Sequence, residues 1–223
     1  TAIDQHGADT VRLFTMFAAP PEQTLEWSNE GVAGAHRFLR KLWTMVQTHI
    51  AEDSNVQLDA ANHSQAQRDL RRKTHETIAK VNDDYGRRNT FNTAIAAVME
   101  LLNEVGKLSG TEPQTLAVRH EALNSAVLLL SPIAPHICHS LWNLLGHSDS
   151  VANARWPSVD ESALVRSSIE MVVQVNGKVR GKIQLAADAS KQSAEAMALE
   201  DSNVQRFIDG GTIRKIIVVP GRL

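Results

Sequence analysis

The chain has 223 residues, 43% of them hydrophobic, and a net charge of −2, which describes an ordinary globular protein long enough for one large domain or two smaller ones. A single cysteine, Cys138, excludes an internal disulfide and fits a reducing compartment. No apolar run approaches the length of a membrane span and no signal-peptide layout opens the chain, so a cytoplasmic protein is expected.

The first 150 residues follow helical period. Ser28 or Asn29 caps a helix whose apolar positions are Val32, Ala35, Phe38, Leu42, Val46 and Ile50, with Arg37, Arg40 and Lys41 on its other side. A second helix starts near Ser64 and keeps Leu70, Ile78, Val81 and Tyr85 on one stripe. Asn89-Thr90 reads as a break and a new cap, before a helix that buries Phe91, Ala94, Ile95, Val98, Leu102 and Val105. Leu116 to Leu130 gives another helix, interrupted by Ser131-Pro132-Ile133-Ala134-Pro135, and a short one from about His136 to Leu145 closes the set. Antiparallel helices joined by short loops make a bundle. Gly146 to Arg166 is polar and aperiodic, with Trp156 expected to fold back on the bundle.

From residue 169 the pattern alternates instead. Two β-runs, 169–175 and 178–185, flank Asn176-Gly177, a strong hairpin signal. A three-residue loop, Val175-Asn176-Gly177 with a bulge at Gly177, pairs Gln174 with Lys178 and Val173 with Val179. It puts Met171, Val173, Val179 and Ile183 on one face and Lys178, Arg180 and Lys182 in a row on the other. Helical Ser190 to Leu199 and Val204 to Ile208 come next. The run Thr212 to Val219 is then read as a central strand, completing a β-β-α-β domain. The fold class is thus an antiparallel helix bundle followed by a small α+β domain, divided as 1–158, a linker over 159–168, and 169–223.

Charge separates the two parts. Residues 1–165 carry a balance of −5 and residues 166–223 one of +3, a hint of nucleic-acid contact by the tail. Cations at period two on a sheet face suit a phosphate backbone, against the alternative of a solvated outer face. Between Arg68 and Arg88 lie seven cations and four acids, with Arg68, Arg71 and Arg72 on one side of a helix. Aromatics are only 4% of the chain, so backbone and shape recognition is expected rather than base stacking. His136, Cys138 and His139 fit no metal-ligand spacing, and no phosphate loop or nucleophile–base pair is apparent. No catalytic site and no metal site are expected.

Several strings together resemble the leucyl-tRNA synthetases, class I aminoacyl-tRNA synthetases of bacterial type. They are Gly7-Ala8-Asp9-Thr10-Val11-Arg12-Leu13-Phe14, Leu25-Glu26-Trp27-Ser28, Arg37-Phe38-Leu39-Arg40-Lys41-Leu42-Trp43 and Arg87-Arg88-Asn89-Thr90-Phe91-Asn92-Thr93-Ala94. Pro132-Ile133-Ala134-Pro135-His136-Ile137-Cys138, Val173-Gln174-Val175-Asn176-Gly177-Lys178-Val179-Arg180-Gly181-Lys182 and Ile213-Arg214-Lys215 extend the match over nearly all of the chain. The resemblance implies that the bundle is an anticodon-binding domain contacting the tRNA stem, and the tail a small C-terminal domain gripping the tRNA corner. Neither HIGH nor KMSKS occurs, so the resemblance is to the C-terminal part of the enzyme. The family's ATP and magnesium would be bound by the catalytic domain, with no cofactor in this part, which is expected to be inactive alone. The implied partner is tRNA(Leu), with no membrane and a monomeric state. Expected nucleic-acid ligands are Lys178, Arg180, Lys182, Arg214 and Lys215, with Arg71, Arg72, Arg87 and Arg88 as lesser ones. Two rival readings are a protein-interaction bundle whose tail adds a strand to a partner, and a fragment of another class I synthetase.

Overall fold

In the computed structural model, the residues described are 1–20, 22–52, 57–59, 62–165, 168–186, 189–208, 211 and 213–219. They divide into two units, 1–164 and 165–223.

In the first unit the helices are α1 (Ala2–His6), α2 (Ala8–Ala18), α3 (Asn29–Ala51), α4 (Gln65–Asp83), α5 (Phe91–Lys107), α6 (Pro113–Leu130), α7 (Pro135–Leu144) and α8 (Glu161–Leu164). Their starts are written locally. The Ser28 hydroxyl accepts from Gly31 N at 3.1 Å, and Ser64 and Gln67 form a reciprocal capping box at α4. Pro113 and Pro135 sit in the first turns of α6 and α7, where a missing N–H costs nothing. The two N-terminal helices, α1 and α2, go beyond the elements expected from periodicity. α6 is buried on nearly every side, from Leu116 through Leu130, as a helix at the centre of a bundle must be. Leu42, Ile78, Ile95, Leu102, Leu123 and Leu130 belong to the one core that surrounds it.

The strings that carried the resemblance turn out to be joints. Asp9 of α2 caps α7, accepting from Ile137 N at 2.7 Å and from His136 Nδ1 at 2.8 Å. Arg12 donates to the carbonyls of Ile133 and Pro132, tying α2 to the proline turn between α6 and α7. At the end of α4 the chain makes a single π turn, Asp84–Arg88, closed by Asn89 in the left-handed region at φ 53°. Asp84 is fully buried there. Burial would raise its carboxyl, but hydrogen bonds from Thr93, Lys80 and Thr90 outweigh that and hold it below the usual range.

The second unit contains β1 (Ser168–Val175), β2 (Lys178–Ala186), α9 (Lys191–Glu200) and α10 (Ser202–Ile208). The hairpin corrects the expected loop. Val175 pairs with Lys178, so Asn176 (φ 51°) and Gly177 (φ 77°) form a two-residue turn with both residues left-handed. Parity is restored two residues later, where Gln174 opposes Val179 and Val173 opposes Gly181, leaving Arg180 as the extra residue of a bulge. Beyond it Met171 faces Ile183, and these two, with Leu185 and Ala194, form a small core. Before it Val179 faces outward, 57% exposed, opposite to its expected side. Gly181 lets α10 approach, since a Cβ there would lie 2.9 Å from Val204 Cγ2. The third strand is also corrected: residues 213–219 carry no regular structure, and the sheet has two strands among the described residues. Val218 packs against the small core, and the segment lines a cleft of about 730 Å³ bounded also by β1, α9 and α10.

Candidate nucleic-acid interface

The bulge breaks up the expected row of hairpin cations. Lys178 lies on the side opposite Lys182, by the parity of the strand about Arg180. It is exposed and pairs with no described residue. Arg180, half-buried, lays its guanidinium over the Phe207 ring of α10, 3.8 Å from the centroid. Lys182 bonds Glu170 at 2.8 Å with 63% of its side chain exposed, a pairing too exposed to hold it strongly. Arg214 and Lys215 are exposed on the 213–219 segment. The tail therefore presents cations on several sides rather than one stripe.

The bundle cations divide differently. Arg71, expected as a lesser phosphate ligand, is turned inward instead: it is 8% exposed, and its guanidinium bonds Glu121 at 3.2 Å and Asp160 at 2.5 Å. Glu121 also meets His75 Nε2 at 3.2 Å. Asp160 titrates at about 2, because hydrogen bonds from Ser162 and Arg71 favour its charged form. This cluster fixes the 155–160 segment along α4. Arg72 is only partly exposed between Asp69 and Glu76. Arg87 and Arg88 project from the π turn, 76% and 54% exposed, and share Asp83.

Trp156 folds back as expected: its indole Nε1 donates to Asn82 Oδ1 at 2.5 Å. Arg155, exposed beside it and unpaired among the described residues, is not foreseen from the sequence. Nothing local marks it, since its neighbourhood is made by the contact of the 155–160 segment with α4. His136, Cys138 and His147 go separate ways. His136 is engaged by Asp9, Cys138 is buried with its thiol pushed up by desolvation, and His147 stacks on Trp142 at 3.4 Å. Among the described residues no three metal-ligating side chains converge.

Comparison with known proteins gives this arrangement a class. Residues 67–195 match the family model described as the anticodon-binding domain of tRNA ligase. That stretch is more than half of the chain, and the chain belongs to this family. Its curated relatives include the leucine–tRNA ligases of Marinobacter nauticus, 68% identical over 99% of this chain, and of Cellvibrio japonicus, 64% identical over all of it. The chain spans about a quarter of their length, 26% in each case. Among solved structures, a leucyl-tRNA synthetase of Agrobacterium radiobacter in ternary complex with tRNA and LeuAMS superposes with a TM-score of 0.77 at 25% identity, over 99% of this chain and 29% of that one. A Mycobacterium tuberculosis methionyl-tRNA synthetase shares the fold over 67% of this chain and 34% of its own, with a TM-score of 0.59 at 20% identity. No helix among the described residues is long and apolar enough to cross a membrane.

Proposed function

We propose that this chain is the tRNA-holding C-terminal part of a leucine–tRNA ligase, an enzyme that charges tRNA(Leu) with leucine at the expense of ATP. The single observation that carries the reading is the pairing of leucine–tRNA ligase relatives across the whole chain with a tail whose cations lie exposed. In this reading Lys178, Lys182, Arg214 and Lys215 contact phosphates or the shape of the tRNA corner. Arg180 keeps part of its charge accessible above Phe207, and Arg87 and Arg88, with Arg72 as a lesser contact, meet the tRNA stem. Two weak sites on one chain raise effective affinity without further contacts. This part contributes orientation: it delivers the acceptor end to a catalytic domain elsewhere in the protein, where ATP and magnesium activate leucine, and itself holds no cofactor. The protein acts as a cytoplasmic monomer.

Removing one phosphate-binding cation takes close to one unit from the dependence of log K on log salt. Replacing Lys178 and Lys182 by alanine together is expected to weaken tRNA(Leu) binding by the full chain and to lower that slope by roughly one to two. Filter binding across a salt series measures it. Unchanged affinity and slope in the double variant would remove the hairpin from the interface. A protein-interaction module would show no steep salt dependence for tRNA at all.

A further inference from the structure

At the C-terminal end of α4, groups separated by some seventy residues in sequence lie side by side. Asn82 accepts the bond from the Trp156 indole, and the adjacent Asp83 holds Arg87 through Nε at 2.6 Å and Nη2 at 3.0 Å. Arg88 approaches the same carboxylate at 3.9 Å. The Tyr85 ring lies tilted against the indole, 46° between planes and 6.1 Å between centroids. Tyr85 is itself fixed by its hydroxyl to Leu129 O at 3.0 Å and by the Phe91 ring at 5.6 Å. The aromatic is therefore pinned at its edge and meets the tilted Tyr85 ring, yet 38% of Trp156 stays exposed.

The surroundings are cationic. Lys80 is taken up by buried Asp84 and lies near Glu100, and Arg87 is taken up by Asp83, which leaves Arg88 and Arg155 as the open cations. A rigid, open indole among cations suits one ligand chemistry best. An acidic peptide would use the charges and leave the flat ring unemployed; an apolar helix would have to desolvate the arginines. A nucleotide uses both, its base stacking on the ring and its phosphates meeting the guanidinium groups. The π turn that aims Arg87 and Arg88 outward is itself a rare feature that recurs at functional sites.

We infer that Trp156 is a stacking platform for an unpaired nucleotide of the bound RNA, with Arg88 and Arg155 taking the flanking phosphates and Arg87 held beside them by Asp83. The inference rests on the tRNA-binding reading and adds a contact to a base where backbone recognition alone was expected.

The experiment compares the full chain with its Trp156→Leu and Trp156→Phe variants, using a tRNA(Leu) transcript and a fully paired RNA duplex as probes. Trp156→Leu is expected to lose roughly tenfold in affinity for the transcript, within the range measured for base–aromatic stacking, with no loss for the duplex and no change of salt slope. Trp156→Phe keeps an aromatic face and restores most of the affinity. The transcript is expected to quench indole emission in the wild-type chain, and that quenching should fall away once Trp156 is phenylalanine. The fluorescence readout holds even where the leucine variant loses helical circular dichroism. Binding by the wild-type chain that is indifferent to Trp156, or an equal loss for transcript and duplex, overturns the inference alone. Failure of the wild-type chain to bind either RNA overturns the tRNA-binding reading and this inference with it.

Discussion

The two units use the same residue types for opposite purposes. In the bundle, charged groups are turned on one another: Arg71 on Glu121 and Asp160, Arg119 on Glu52, Asp84 on Lys80. In the tail, Lys178, Arg214 and Lys215 face solvent without a described partner, and the core among the described residues is a small cluster around Met171, Ile183, Leu185 and Ala194. A large apolar interior can desolvate ion pairs and make them structural, whereas a thin one leaves its cations in water, where they are worth little to stability and remain open to a ligand. Charge counted along the sequence does not distinguish these two cases; burial does.

The largest test of that contrast is Arg71→Ala. It leaves Glu121 and Asp160 without the cation they share, and the bundle is expected to lose about 2–3 kcal/mol. The tRNA salt slope should stay where it was. Chemical denaturation and a binding series together check it; a stable variant with a lower slope would make Arg71 a ligand after all.

Acid comes second. His49 is buried, with its Nε2 3.1 Å from His120 Nδ1, and burial first, then the neighbouring His120 and Arg119 charges, bring it down to about 4. Burial lowers His120 and His147 as well. Unfolded histidines titrate near 6.5, so below that pH the unfolded chain binds protons the native bundle refuses. Stability is complete above about pH 6.5 and declines as pH falls towards 4, by about 2 kcal/mol at about pH 5 for His49. Thermal melts between pH 7.5 and 5 should show the decline in the bundle transition, and a His49→Gln variant should show less of it. An unchanged midpoint over that range would contradict the neutral buried pair.

Smallest is Gly181→Ala, expected to cost about 1–2 kcal/mol by pressing a methyl on Val204, and confined to the tail. Hydrogen exchange that slows or holds across β1 and β2 in this variant would show that α10 gives way instead. Exchange in α4 to α6 should not change.

Much of the bundle was legible because its signals are local. The start of α4 near Ser64, the Ser28 cap, the break at Asn89 and the apolar stripes of α3, α4 and α5 depend on residues within a few positions of each other. The candidate interface was legible only in part. Parity alone favoured a three-residue loop that would separate apolar from basic faces, whereas the structure combines a two-residue turn with a bulge at Arg180. The choice fell to α10, whose Val204 needs bare backbone at Gly181 and whose Phe207 receives Arg180. The run after 212 is rich in β-formers, yet its pairing depends on an edge its own composition does not specify.

Sequence by itself determined most of the bundle helices, the caps at Ser28 and Ser64, the place of the hairpin and the family, since each is written in neighbouring residues or in short strings of the chain. Only the tertiary structure decided which cations are free. Arg71 and Lys178 look alike along the chain; carboxylates brought from residues 121 and 160 bury the first, and a two-stranded sheet with one small core leaves the second in water. The same long-range packing placed Trp156 beside Asn82, a juxtaposition that no periodicity encodes because its members meet only once the 155–160 segment lies down on α4.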